Sequence, residues 1–168
     1  MPKTKESAVS FKTALDFSRD DLEKIIPALQ QTMADNFDLH SQTKFAHWNL
    51  KGQHFYPLHL LFDDLAEMIH PFTDQLAERI TLLGGIARGS ARRVAELSSL
   101  EEFPESPHDG ETYLRELQSR YAEHADNCRQ RIEEVSDVDP TTEDMITELS
   151  RAVDQALYFI EAHLQKTS

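Results

Sequence analysis

The chain has little glycine and almost no cysteine, and each shortage narrows the class of protein. Five glycines among 168 residues are too few for a turn-rich all-β domain and favour helices. The single cysteine, Cys128, has no partner for an intrachain disulfide, so we expect a cytoplasmic protein in a reducing compartment. No apolar run is long enough to span a membrane, and the first residues do not resemble a signal peptide.

Positive charge is also scarce, with 17 Lys and Arg against 30 Asp and Glu and a net charge of −13. Such a surface repels nucleic acid and attracts cations. No Lys or Arg occurs between Gly52 and Glu78. Two histidines and four acids in this stretch recur every three or four residues, which places them on one face of a helix, here named the ligand stripe: His59, Asp63, Glu67, His70, Asp74 and Glu78.

The ligand stripe indicates a bound cation. Carboxylates stacked at helical spacing repel one another and destabilise the helix, so an unneutralised stripe suggests that a cation is missing. Histidine together with Asp and Glu is a ligand set that suits iron, zinc or manganese.

Hydrophobic periodicity predicts an all-α four-helix bundle with a short helix in the connection between helices two and three. Residues 1–17 are predicted to be a flexible N-terminal arm, and residues 18–168 a single domain. Pro27 is expected to kink the first helix or to mark its true start, and Pro71 to kink or loosen the second. The predicted helices cover residues 18–51, 57–83, 91–97, 111–135 and 141–165.

The spacing within the ligand stripe limits how a metal can bind. Asp74 and Glu78 lie about fifteen residues beyond His59 and Asp63, or about 22 Å along a helix, whereas metal–ligand bonds are only about 2 Å long. Two arrangements satisfy this spacing: separate weak sites, or a contact between two copies of the chain. An antiparallel two-fold contact would place His59 and Asp63 opposite the partner's Asp74 and Glu78, giving two identical sites per dimer. His47, at the end of the first helix, can complete each site.

The stretch His47-Trp48-Asn49-Leu50-Lys51-Gly52, followed by Phe55, Leu58-His59 and Phe62-Asp63, resembles the Dps mini-ferritins, DNA-binding proteins from starved cells. Asp74-Gln75, Ala77-Glu78-Arg79 and Gly84-Gly85 continue the resemblance, which covers roughly residues 18–164. It implies a ferritin-like four-helix bundle and a hollow homododecamer built on two-fold dimers. The residues that match the family's ferroxidase ligands, shared between two subunits, are His47, His59, Asp63, Asp74 and Glu78.

The resemblance implies an oxidoreductase that oxidises Fe(II), with hydrogen peroxide preferred to dioxygen, and stores Fe(III) as a ferric oxide mineral core. A pair of iron ions is expected at each site, with Asp63 and Glu78 as the strongest ligands. Consuming peroxide in a two-electron step avoids hydroxyl radical and protects against oxidative stress. The alternative function is a nucleoid-associated, DNA-condensing protein with secondary metal binding, and a third hypothesis is a plain bundle with a solvated acidic stripe.

Four further residues each have a functional and a structural interpretation. Trp48 resembles the family's tryptophan near the site, where it scavenges an escaped oxidising equivalent, or it is a packed aromatic. Asp64 and Glu67 nucleate mineral or form a solvated acidic face. Glu67 and His70 match the Glu-x-x-His motif of di-iron bundles, but such sites need two copies and two more glutamates. His70 is therefore an accessory ligand near the two-fold axis or a polar interface residue.

The family's acidic three-fold pore, through which iron enters, maps near the start of the last predicted helix, where Asp144 matches one of its acids and further acids lie close by, although helix N-termini favour acids in any case. These acids are Asp139, Glu143, Asp144 and Glu148. The candidate DNA contacts in the N-terminal arm are Lys3, Lys5 and Lys12. Repeated in an assembly, they can tether DNA at low salt, but the charge of −13 per chain argues against strong binding. His40 and His124 lie on core-facing stripes and are expected to be satisfied interior histidines.

Overall fold

In the computed structural model, which describes residues 7–106 and 109–165, this part of the chain forms five helices. Four long helices pack as a bundle, and the short α3 lies against α1 in the connection between α2 and α4. The predicted fold class is confirmed, and every predicted helix boundary lies within two residues of the observed one. The helices are α1 (Arg19–Asn49), α2 (Phe55–Leu82), α3 (Ala91–Leu97), α4 (Gly110–Val135) and α5 (Pro140–Leu164).

Local capping residues determine where three of the long helices begin. The Ser18 hydroxyl accepts a hydrogen bond from the Asp21 amide at 3.1 Å, and the Asp21 carboxylate accepts one from the Ser18 amide at 3.2 Å. This capping box satisfies two amides that the first turn of α1 leaves free. Asp109 caps α4 and Asp139 caps α5. The side chain of each accepts a hydrogen bond from a backbone amide in the first turn of its helix.

Neither internal proline ends its helix. α1 continues through Pro27, and α2 continues through Pro71. Pro27 therefore does not mark the start of α1, which was one of the two alternatives predicted for it. A proline removes one helical hydrogen bond, and the packing of a long amphipathic helix against the bundle stabilises the other turns around it.

The apolar core runs between the four long helices and consists of side chains at helical spacing. Ile132, Leu157 and Leu164 lie at the margin of this core and are only partly buried. No helix in the described part of the chain is long and apolar enough to cross a membrane. Fully buried core residues include Ile25, Leu29, Leu39, Phe62, Leu65, Ile69, Leu76, Ile80, Leu117, Tyr121, Ile146, Leu149, Val153 and Ile160.

The N-terminal segment before α1 lies against the end of α2. The amides of Ser10 and Phe11 both donate to the Gly84 carbonyl at 2.8 Å, and the Ala8 amide donates to the Glu23 carboxylate at 3.1 Å. Gly84 has a φ of +87°, and a Cβ there would lie 2.3 Å from the Phe11 carbonyl oxygen. Glycine is thus required at this position by both backbone conformation and close approach. The division into a flexible arm and a bundle domain stays a prediction.

Replacing Gly84 with alanine should destabilise the protein more than replacing Gly52. Both glycines have positive φ, but a Cβ at Gly52 meets nothing within 4 Å. We expect Gly52→Ala to lower the free energy of unfolding by about 1 kcal/mol and Gly84→Ala by about 3 kcal/mol, because only the second adds a collision to the backbone strain. Thermal midpoints of the two variants measure the difference. Equal midpoints would contradict the close approach of Phe11.

His124 lies on α4 with no exposed surface, inside the bundle. Its Nε2 is 3.9 Å from the Cys128 sulfur, and its Nδ1 has no hydrogen-bond partner among the described residues. The prediction of a fully satisfied interior histidine is therefore wrong for Nδ1. Burial lowers the pKa of His124 from 6.5 to about 4, because a charged imidazolium cannot be solvated there.

The buried His124 should make the protein sensitive to mild acid. Below pH 6.5 the unfolded chain protonates this histidine, while the folded chain keeps it neutral until the pH reaches about 4. Stability is therefore lost as the pH falls through this window, by about 3 kcal/mol in total. In His124→Leu we expect a smaller drop in thermal midpoint between pH 7 and pH 4.5 than in the wild type. The same drop in both proteins would refute this assignment.

Candidate metal centre

The last turn of α1 and the first turns of α2 bring His47 and His59 into contact. Their rings stack with centroids 3.8 Å apart. The Nδ1 atom of each ring donates to the main-chain carbonyl of the other residue, at 2.8 Å for His47 and 3.0 Å for His59. Because Nδ1 carries the proton in each neutral ring, both Nε2 atoms keep a lone pair that can bind a metal ion.

Asp63 lies one helical turn after His59 and joins this pair. Its Oδ1 is 3.9 Å from Nδ1 of His47, and the same oxygen forms an ion pair with the ammonium of Lys44 on α1. The hydrogen bond from Lys44 is the main cause that lowers the pKa of Asp63. Two imidazoles and one ionised carboxylate thus lie together at one end of α2.

The prediction that no positively charged side chain neutralises the ligand stripe is wrong at Asp63, because Lys44 pairs with it. The stripe itself contains no Lys or Arg, but α1 supplies an ammonium to Asp63. Lys44 precedes His47 by three residues, so the two share one face of α1. The spacing of Lys44 and His47 on α1 is therefore the feature of the sequence that could have predicted a cation beside Asp63.

Asp74 and Glu78 lie near the other end of α2 and are exposed. Within residues 7–106 and 109–165, neither carboxylate forms an ion pair. In the same part of the chain, no three His, Cys, Asp or Glu side chains of one protomer converge closely enough to hold a metal ion. The structure thus places three of the five predicted ligands, His47, His59 and Asp63, near one another without completing a metal site, and leaves Asp74 and Glu78 open to solvent.

Two further contacts along the α1–α2 seam fix how these helices pair. Asn36 donates from Nδ2 to the Ile69 carbonyl and to the Thr73 hydroxyl, both at 2.9 Å. The rings of His40 and His70 lie 4.6 Å apart. His40 is half-buried and contacts His70 at the edge of the bundle, so it is not an enclosed core histidine.

Electrostatics around His40 favour its neutral form. Burial is the main cause that lowers the pKa of His40, with further lowering by His70 and Lys44, while Glu67 opposes the shift.

The acids predicted to line a pore have different environments. Asp139 is buried, and its carboxylate accepts a hydrogen bond from Arg79 Nη2 at 2.6 Å and another from the Thr142 hydroxyl at 2.5 Å. Burial alone would raise the pKa of Asp139, but these hydrogen bonds outweigh it and the pKa is lowered. Asp139 is thus occupied in fastening α5 to α2. The other three predicted pore acids lie on the first turns of α5, with Asp144 and Glu148 exposed and Glu143 half-buried.

The remaining predicted residues lie on the protomer surface or outside the described residues. Trp48 is 64% exposed, so it is not a packed aromatic within one protomer. Asp64 and Glu67 are exposed on α2, and Lys12 is exposed in the segment before α1. Lys3 and Lys5 lie outside the described residues.

Comparisons with known proteins agree with this architecture. A family model described as a ferritin-like domain matches residues 26–168. The DNA protection during starvation protein of Agrobacterium fabrum is 37% identical over 158 residues, which make up 94% of this chain and 98% of that protein.

Two solved structures are similar over nearly the whole chain. DpsC from Streptomyces coelicolor has a TM-score of 0.90 at 27% identity, covering 97% of this chain and 96% of that one. An archaeal Dps homologue from Halobacterium salinarum has a TM-score of 0.89 at 27% identity, covering 99% and 93%. The chain therefore belongs to the Dps mini-ferritins, a family within the ferritin-like proteins.

Proposed function

We propose that this protein is a cytoplasmic ferroxidase that oxidises Fe(II), preferably with hydrogen peroxide, and stores Fe(III) as a mineral inside a hollow homododecamer. The observation that carries this proposal is the pair His47 and His59 beside Asp63, in which neither Nε2 atom forms a hydrogen bond with another described residue. Two imidazoles and a carboxylate suit Fe(II), whereas additional carboxylates are needed to stabilise the harder Fe(III).

The missing carboxylates are proposed to come from a second copy of the chain. An antiparallel two-fold contact through the middle of α2 sets His59 and Asp63 opposite the partner's Asp74 and Glu78. Both of these carboxylates are exposed in the protomer and free of ion pairs among the described residues, so both are available to bind a metal ion at a shared site. Such a dimer has two equivalent sites, and each site uses both chains.

The chemistry proposed for each site is a balanced two-electron step. Each of two Fe(II) ions gives one electron to the same hydrogen peroxide, the O–O bond breaks, and two protons complete two water molecules. No hydroxyl radical is released when both electrons arrive together. In this proposal Glu78 would hold both irons, and Asp64 would line the path along which Fe(III) leaves to nucleate mineral.

Iron is proposed to enter through a three-fold pore lined by Glu143, Asp144 and Glu148. Asp139 is left out of the pore lining, because Arg79 and Thr142 already occupy its carboxylate. Trp48, exposed beside His47, is proposed to take up an oxidising equivalent that escapes the site.

DNA is not proposed as the main partner. The net charge of −13 per chain repels phosphates. The printed name of the Agrobacterium relative refers to DNA protection, and oxidation of Fe(II) without hydroxyl radical would protect DNA without contact.

Mixing two inactive variants should restore activity if the site is shared. Asp63→Ala damages one half of every site, and Glu78→Ala damages the other half, so each variant alone should lose fast Fe(II) oxidation by peroxide. In a mixed dimer one site combines both intact halves, and the other combines both damaged halves. After co-assembly of equal amounts we expect about one quarter of the wild-type rate, because half of the dimers are mixed and each has one intact site.

The control for this experiment is Glu123→Ala combined with Asp126→Ala, which removes two carboxylates from α4 and should leave the rate unchanged. Particle mass establishes that all proteins assemble, and capture of mixed particles through an affinity tag on one variant establishes that chains are exchanged. A mixture that exchanges chains but stays inactive would refute a site made by two subunits.

Removing the ammonium of Lys44 should strengthen iron binding. In the iron-free protein Lys44 competes with Fe(II) for the Asp63 carboxylate. Because the pair is partly exposed and screened by water, we expect Lys44→Met to tighten anaerobic Fe(II) binding only roughly two- to fivefold. Titration calorimetry without oxidant measures the change, with Lys51→Met as the control. Weaker binding in Lys44→Met would mean that Lys44 supports the site and does not compete with iron.

A further inference from the structure

A histidine pair lies midway along the ligand stripe and takes no part in the proposed ferroxidase site. His40 of α1 and His70 of α2 have ring centroids 4.6 Å apart, with planes tilted by 32°. Glu67 lies one helical turn before His70 on the same exposed face, and its carboxylate interacts electrostatically with His40. These three side chains form what we name the mid-helix cluster.

The proposed dimer places two mid-helix clusters against each other. Its helices are antiparallel, so four residues forward on one α2 correspond to four residues backward on the other. Glu67 follows Asp63 by four residues, and His70 precedes Asp74 by four residues. Because Asp63 lies opposite the partner's Asp74, Glu67 lies opposite the partner's His70. The same register that builds the ferroxidase sites thus sets each Glu67 opposite the partner's His70, close to the two-fold axis.

The mid-helix cluster is separate from the iron sites. The axis lies seven to eight residues from the centre of either proposed site, which is about 11 Å along the helix. Lys44, one turn from His40, has its ammonium bound to Asp63, and neither His40 nor His70 is among the proposed iron ligands. A second positive ion at the axis therefore does not share ligands with the ferroxidase sites.

We propose that the dimer binds one divalent transition-metal ion of the zinc type on its two-fold axis, through His40 and His70 of both protomers. This proposal rests on the proposed function, because the two-fold register comes from the shared ferroxidase site. The partner's Glu67 accepts a hydrogen bond from the ring nitrogen of His70 that does not bind the metal, an arrangement that orients metal-bound histidines. The bound ion links the two subunits.

The distance between the rings suits a common metal. Two imidazoles bound to one zinc ion through bonds of about 2.0–2.1 Å have ring centroids roughly 4.5 to 5.5 Å apart. The His40–His70 separation of 4.6 Å is within this range before any metal is present. One protomer supplies two imidazoles, and a four-coordinate ion needs four ligands, so the second protomer supplies the other two imidazoles.

The test counts zinc ions in a protein whose ferroxidase sites are disabled. The double variant with Asp63→Ala and Glu78→Ala is stripped of metal and its particle mass is measured. The variant is then dialysed against a zinc solution. We expect this variant to bind one zinc ion tightly per two chains. Adding His70→Ala should abolish this binding, and adding His40→Gln should weaken the affinity for zinc at least tenfold. His163→Ala, which removes an exposed histidine at the far end of α5, is the matched control and should keep the zinc. Cobalt in place of zinc should give the visible absorption of a tetrahedral nitrogen site.

The outcomes separate this proposal from the proposed function. Suppose that subunit mixing restores iron oxidation. If the protein then binds no zinc at one ion per two chains, or if the His70→Ala variant still binds that zinc, the axial site is refuted while the shared ferroxidase site is supported. In that case Glu67 and the partner's His70 form an ordinary polar contact. If subunit mixing fails, the shared ferroxidase is overturned on its own data. Should the double variant not assemble, the difference in bound zinc between the wild type and His70→Ala gives the same count.

Discussion

The distance spanned by the ligand stripe is the constraint on which the proposed chemistry depends. A helix of this length keeps His59 and Glu78 far apart, and no folding of the remaining helices can bring together two residues of the same rigid element. A single protomer with this sequence therefore cannot bring all five proposed ligands to one metal ion, whichever way the bundle packs around α2. In the proposed dimer, one contact between two copies completes two sites at the same time, so assembly and activity are linked.

The sequence predicts the helices well because their limits are set locally. Ser18 with Asp21 defines the start of α1, and Gly84 lies just beyond the end of α2, so capping and backbone conformation act over a few residues. Pro27 shows the limit of local reasoning. A proline weakens a helix by itself, but packing against the other helices lets α1 continue through it.

The candidate site was only partly predictable for a different reason. Periodicity tells which residues share a face of one helix, but it does not tell which turn of α1 lies beside which turn of α2. That register decides that Lys44 pairs with Asp63 and that His40 contacts His70. Asp139 illustrates the same point, since its place in the sequence suits a pore acid or a helix cap, and only the position of Arg79 shows that its carboxylate is occupied within the protomer.

The segment before α1 combines two roles in one short stretch. Its basic residues are the obvious positions at which to test the effect of tail charge, whereas the amides of Ser10 and Phe11 both donate to the Gly84 carbonyl, just beyond the end of α2. Cutting the chain just ahead of Phe17 would remove both together. Neutralising Lys12 by point substitution keeps the backbone intact, and so separates the influence of charge from that of a helix end left open to water.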